Sequence, residues 1–240
     1  MSSNRSIVNQ ILHLSELVNS CYLIENELSE YLYLAIEELI CNDQNKPCSE
    51  VSWQTVRWDV CANFEYKEIW FAPISWSRIQ IKHKHLNIEE CYAFFKLTIQ
   101  RHDQKEIYLD EYFANNGNRL PTVNFFNHTN GFVSIQFHLN KNMIYKNNQT
   151  TDISKTRSWS KKRNQLIQQY VELTNFGFKL NESKGYWYLT IETLDPVQVA
   201  KDFENEEIVS SLDPVKNALK IIYQALDIFD VIEKKAKFLI

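Results

Sequence analysis

Apolar residues recur at three- and four-residue steps through the first forty positions. Ile7, Ile11, Leu14 and Val18 mark one stripe. Leu28, Leu32, Ala35, Ile36, Leu39 and Ile40 mark a second. That spacing gathers side chains on one face of a helix, and the interruption at Ser20 to Tyr22 predicts a helical hairpin. The second helix should stop near Asn42-Asp43-Gln44-Asn45, before Pro47. Glu25, Glu27, Glu30, Glu37 and Glu38 decorate it as an acidic, solvated face.

From about Val51 the period changes to two, and β-branched and aromatic residues dominate. Strands are expected over Glu68–Trp76, with Pro73 marking an edge or bulge, over Cys91–Gln100, and over Gly131–Leu139. The last alternates cleanly. Val133, Ile135, Phe137 and Leu139 fall on one face, and Phe132, Ser134, Gln136 and His138 on the other. Shorter strand signals occur at Ile79 with Ile81 and at Glu106–Leu109, and Asn115-Asn116-Gly117-Asn118 reads as a turn. With no long helices between them, these strands favour an antiparallel meander over βαβ units.

Asn140 to Ser154 is polar and reads as a loop, the best place for a subdivision near 140–155 of an otherwise single domain over residues 1–240. A helix is expected over Trp159–Thr174, stopped by Asn175 and Gly177, and a strand over Gly185–Thr193. Leu194-Asp195-Pro196-Val197 and Leu212-Asp213-Pro214-Val215 then repeat one helix-start signal. In each, the Asp can cap the free amides of a first turn, and the Pro lacks only an N–H that has no partner there. The first begins a short helix. The second begins one long helix carrying Val215, Leu219, Ile222, Leu226, Phe229 and Ile232. The expected fold class is α+β: an N-terminal helical hairpin, an antiparallel sheet of about five to seven strands, and C-terminal helices packed on the sheet.

Composition narrows the function. At 240 residues the chain can bury a sizeable core, and 44% hydrophobic with 23% charged residues is ordinary for a folded protein. Four glycines, none in a phosphate-loop or dinucleotide-binding pattern, exclude those motifs. The net charge of −4 argues against a globally basic nucleic-acid binder. Five cysteines, with no Cys-x-x-Cys pair, read as free thiols of a reducing compartment. Residues 1–10 lack the apolar run of a signal peptide, and no stretch is long and apolar enough to span a membrane. The expected location is cytoplasmic.

Three constellations carry candidate chemistry. Asp59 with Glu65-Tyr66-Lys67 resembles the arrangement of metal-dependent nucleases of the PD-(D/E)xK type, over these few residues only. A tight turn near Ala62-Asn63 would bring Asp59 opposite Glu65 and Lys67. Two carboxylates would then hold Mg²⁺, and the lysine would orient a water. Arg157, Lys161, Lys162 and Arg163 surround Trp159 at a helix start. Such a basic cluster fits an acidic protein surface, or less well a nucleic acid that stacks on the indole. His83 and His85 would share one face of a strand, a spacing that can chelate a metal with His102, His128 or His138 as a third ligand, although Lys82 and Lys84 disfavour a cation.

The expectation is therefore a non-enzymatic macromolecular interaction protein, a cytosolic protein-binding inhibitor or immunity-type protein with an acidic protein as its partner. It rests on separated patches: the acidic N-terminal helices and Glu204-Asn205-Glu206-Glu207 against the basic cluster. One alternative is the Mg²⁺-dependent nuclease. Another is a structural subunit that presents an apolar face built from Trp70, Trp76, Tyr186 and Tyr188.

Overall fold

The computed structural model describes residues 20, 25, 27–40, 58–63, 68–77, 90–101, 121–128, 131–147, 153–205 and 210–239. The first described helix, α1, covers residues 27–40 and buries Leu32, Ile36, Leu39 and Ile40 of the stripe that its spacing foretells, with Leu28 and Ala35 half-buried and Tyr33 buried in addition. Residues 1–19, where the other half of the expected hairpin falls, lie outside the described residues.

Among the described residues six strands form one antiparallel sheet: β1 (Trp58–Asn63), β2 (Glu68–Pro73), β3 (Ala93–Arg101), β4 (Gly131–Leu139), β5 (Lys179–Asn181) and β6 (Tyr186–Thr190). Their spatial order is β1-β2-β3-β4-β6-β5. The first four run as the expected meander. After β4 the chain passes through two helices, α2 (Lys141–Asn147) and α3 (Ile153–Ile167), before entering the sheet at its far edge as β5. It then returns as β6 to pair with β4. Pro73 ends β2 and leads into a 3-10 turn, Ile74–Trp76. A strand interior needs the N–H that proline lacks, so the terminal position accommodates it.

The sequence of α2 is polar enough to read as a loop, yet it is helical. Asn140 supplies the start: its Oδ1 accepts from the Met143 amide at 3.2 Å, and its carbonyl accepts from Ile144 N. Met143 and Ile144 then enter the main hydrophobic core. The helix expected over Trp159–Thr174 begins and ends earlier than its composition suggests, and a 3-10 turn over Val171–Phe176 follows it. Gly177, at φ +88°, terminates that turn in a left-handed conformation that glycine adopts freely.

The C-terminal part contains α4 (Pro196–Glu204), α5 (Asp213–Gln224) and α6 (Leu226–Ala236). The two Leu-Asp-Pro-Val segments start helices in different ways. Asp195 is a true cap, its carboxylate accepting from Val197 N at 2.9 Å. Asp213 is already inside α5, whose cap position is Leu212, and its carboxylate instead meets Lys216 Nζ at 3.0 Å. The expected single long helix is two helices divided at Ala225, a buried residue whose N–H reaches back to Ile221 O and Ile222 O.

The apolar face of the sheet receives these helices. Phe229 of α6 is fully buried and stands 4.6 Å from the Phe137 ring, 5.1 Å from Phe95 and 5.1 Å from Phe178, centroid to centroid. Trp76 Nε1 donates to Asp230 Oδ1 at 2.6 Å, so the indole is buried without an orphan N–H. On the same side Trp187 Nε1 donates to Ile167 O at 3.1 Å and ties the end of α3 to β6. At the other end, Glu25 holds a distant segment. Its two carboxylate oxygens accept from the Thr122 amide at 3.1 and 3.0 Å, and one also accepts from the Thr122 hydroxyl at 2.6 Å.

Candidate functional site

The basic segment on α3 is divided by helix periodicity. Trp159, Arg163 and Leu166 are four and three residues apart, so they share the inward stripe. Trp159 is buried, 5% exposed, and its ring lies 6.0 Å from that of Tyr145. Arg163 is half-buried beside the β5–β6 turn, with its Nε and one terminal nitrogen donating to Asn164 Oδ1 at 3.2 and 3.1 Å. Burial pushes the guanidinium pKa below its ordinary value. Lys161 is exposed and Lys162 half-buried, and among the described residues neither has an ion-pair partner. Arg157 lies on the α3 backbone, its side chain outside the description. The indole and Arg163 thus belong to the support of the helix, and among the basic side chains described the outward charge comes from Lys161, with Lys162 half-buried at the flank.

The acidic groups collect elsewhere. Glu27, Glu30 and Glu38 are exposed along α1, and Glu204 is exposed at the end of α4. The two helices meet where the Tyr31 hydroxyl donates to Asp202 O at 2.9 Å and its ring packs edge-on against Phe203, centroids 4.7 Å apart.

Asp59 pairs with Ala72 in the β1–β2 register, and Asn63 pairs with Glu68. The strand therefore continues through Ala62 and Asn63, where the sequence suggests a tight turn. Glu65, Lys67, His83, His85 and His102 lie outside the described residues. Among the described residues no group of three His, Cys, Asp or Glu side chains is placed to hold a metal ion. His138 is on β4, with Nε2 2.8 Å from Gln136 Oε1. His128 stands 6.4 Å from Phe132, ring centre to ring centre. Of the aromatics expected to supply an exposed apolar face, Trp76, Tyr186 and Tyr188 are buried and Trp70 is half-buried. No helix among the described residues is long and apolar enough to cross a membrane.

The second face of the sheet is a feature that the motif reading passes over. Strand register puts Trp70, Lys96, Gln136 and Tyr188 in one row across β2, β3, β4 and β6. The next row holds Thr98, Ser134 and Thr190. Lys96, Thr98, Ser134 and Gln136 are all buried, although each is polar. Lys96 Nζ meets Glu68 Oε1 at 2.5 Å. Rings stack beside this polar centre: Phe94 on His138 at 5.5 Å and 15°, Phe132 on Tyr188 at 6.0 Å and 28°. Burial raises the Tyr188 hydroxyl pKa above its ordinary value. Fully buried Tyr33 is raised much further, first by burial and then by the negative fields of Glu25 and Glu68. The signal for this face is in the sequence, since β3 and β4 both alternate and their polar positions fall in register.

No protein-family model matches the chain, and neither a curated protein nor a solved structure matches it.

Proposed function

We propose that the chain is a non-enzymatic macromolecular interaction protein, an inhibitor or immunity-type binder that grips an acidic partner protein through the outer face of α3. The observation that carries this reading is the pair Lys161 and Lys162. Among the described residues they have no ion-pair partner, on a helix fixed to the core by Trp159, Leu166 and Ile167. Uncompensated cations on a rigid face favour an acidic surface, both in steering the encounter and in fixing its orientation. The same geometry disfavours single-stranded nucleic acid. Sequence-tolerant binding of that kind needs a ring on which bases stack, and Trp159 is turned inward. The acidic groups of α1 and α4 form a separate patch, as suits a protein that presents different faces to different neighbours. Five cysteines with no Cys-x-x-Cys pair fit a reducing, cytoplasmic setting.

Affinity capture from the native cell extract, repeated over a range of ionic strengths, tests this function. An acidic protein that is retained at low salt and released as salt rises supports it. A plasmid-cleavage assay with Mg²⁺ or Mn²⁺, run beside it on the wild type and on Glu65→Ala, addresses the nuclease alternative. Metal-dependent cleavage that disappears in the variant overturns the non-enzymatic reading.

A further inference from the structure

Two outward faces of the molecule combine exposed apolar side chains with charge of one prevailing sign, and the two signs are opposite. The first face joins α1 to α4. Glu27, Glu30, Leu34 and Glu38 follow one another at three- and four-residue steps, so they line one outward stripe of α1, and all four are exposed. Tyr31, half-buried on the same side, carries the stripe across to α4, where its ring meets that of Phe203. Leu34 is 45% exposed and Phe203 41%. Glu204 is exposed next to Phe203. Lys201, exposed on α4, is the exception in sign.

The second face is the outer stripe of α6 and the turn that follows it. Asp227, Val231, Lys234 and Phe238 stand four, three and four residues apart, with Lys235 beside them, and all five are exposed. Phe238 is 81% exposed, the most of any large apolar side chain among the described residues. Its amide donates to Lys235 O at 3.2 Å, and that of Leu239 to Ala236 O at 3.1 Å, so the backbone goes on turning after α6 and keeps Phe238 next to the stripe. Lys235 Nζ lies over the Tyr170 ring, 5.2 Å from its centre, which positions that charge without neutralising it. Asp227 is the exception in sign here. A single apolar side chain in water needs no explanation, but these are grouped, and each group is set among charges that the other group complements. Glutamates surround Leu34 and Phe203, and lysines flank Val231 and Phe238. Even the exceptions, Lys201 and Asp227, are opposite. An apolar centre within a charged rim is how protein interfaces are built. The complementary surface is present on the molecule itself, which identifies the occupant as a second copy of the chain.

We propose that copies of this chain associate head to tail, with Val231 and Phe238 of one copy seated on Leu34 and Phe203 of the next, and Lys234 and Lys235 meeting the glutamates of α1 and α4. The two faces are different, so the contact does not pair a patch with itself. Repeated, it gives a closed ring or an open chain. It makes no use of α3 and stands independently of the acidic-partner reading.

Sedimentation of the full chain over roughly 1–500 μM, at low and at high salt, tests the contact. The average mass should rise with concentration and fall back as salt rises. Phe238→Ser with Lys234→Glu disables the α6 face, and Leu34→Ser with Glu30→Lys disables the α1 face. All four positions are exposed, so melting temperatures should change little. Each double variant alone should associate at least about tenfold more weakly. An equimolar mixture of the two retains one intact face from each and should form a 1:1 dimer. Lys161→Glu/Lys162→Glu should associate as the wild type does. A wild-type chain that stays monomeric throughout overturns the proposal and leaves the two faces to a different partner. Undiminished association of either folded double variant overturns it too, as does a mixture that stays monomeric or loss of association on reversing the α3 lysines. The wild-type series and the remaining variant decide even where one double variant fails to fold.

Discussion

Lys96 and Glu68 meet across β3 and β2 with Nζ and Oε1 2.5 Å apart, their side chains only 11% and 9% exposed. Each charge has been drawn out of water, and Glu68 also accepts from the Thr98 hydroxyl at 3.5 Å. Removing one partner takes from the other a counter-charge at contact distance in a buried setting, so Lys96→Met or Glu68→Gln alone should destabilise the fold by about 3 kcal/mol. Lys96→Met combined with Glu68→Leu should cost much less than the sum, because no buried charge remains. Denaturant unfolding of the three variants checks this, and additive losses would contradict it.

Gly185 sits at φ +65°, and a Cβ there would collide with Asn164 Oδ1 and with Arg163 Nε. Gly185→Ala combines a left-handed backbone with a collision against the α3 side chains that brace the β5–β6 turn. Gly177 has φ +88° but only Leu189 nearby, at 3.7 Å. Gly177→Ala should cost about 1 kcal/mol from backbone conformation, and Gly185→Ala distinctly more. Equal losses in chemical denaturation would show that the collision relaxes freely.

The two Leu-Asp-Pro-Val segments make a matched pair. Asp195→Ala removes a cap that accepts Val197 N and should cost about 1 kcal/mol. Asp213→Ala removes only an exposed helix-surface pair with Lys216, worth about 0.2–0.5 kcal/mol. Thermal unfolding of both single variants distinguishes them, and a larger loss at Asp213 would reverse the assignment of the cap.

Glu233 is buried on α6, with Lys237 Nζ 2.7 Å from its carboxylate. Burial raises its pKa above the ordinary value despite the lysine's opposing pull. The folded state then holds this proton more tightly than the unfolded chain does. The group's contribution to stability falls as pH rises from the unfolded glutamate pKa to the raised folded one. Glu233→Gln cannot ionise, so its stability relative to wild type should climb with pH across that window and level off above it. Melting curves from pH 3 to pH 8, a span bracketing ordinary glutamate titration at about 4.3, measure the difference. A flat difference would contradict the shift.

How far the sequence discloses this molecule depends on which physical effect decides each element. The β4 faces follow from strict alternation, and the buried stripe of α1 from helical spacing. The division at Ala225 has no proline or glycine to announce it. It arises where Ala225 is buried against its neighbours, a tertiary effect that local pattern does not record. The α2 helix is hidden by polar composition, because one cap and two apolar side chains suffice once a core is there to receive Met143 and Ile144. β5 is three residues long, shorter than any periodicity can register. On α3 the basic residues are legible as a cluster, and the seven-residue step from Trp159 to Leu166 already places the indole inward. The buried, unpaired amide nitrogens of Gln100 and Gln136 are not legible at all, since pairing depends on neighbours from other strands.

The proposed contact of Lys161 and Lys162 with an acidic partner protein rests on two cations that have no ion-pair partner among the described residues. Its most direct measurement is the comparison of proteins captured from native extract by the wild type and by Lys161→Glu/Lys162→Glu, with melting temperatures recorded for both. Lys161 is exposed and Lys162 half-buried at the flank of a helix held by Trp159 and Leu166, so the account predicts a melting temperature lowered only slightly and loss of the acidic partner from the variant. Retention of the same partner by a folded charge-reversed variant would contradict it.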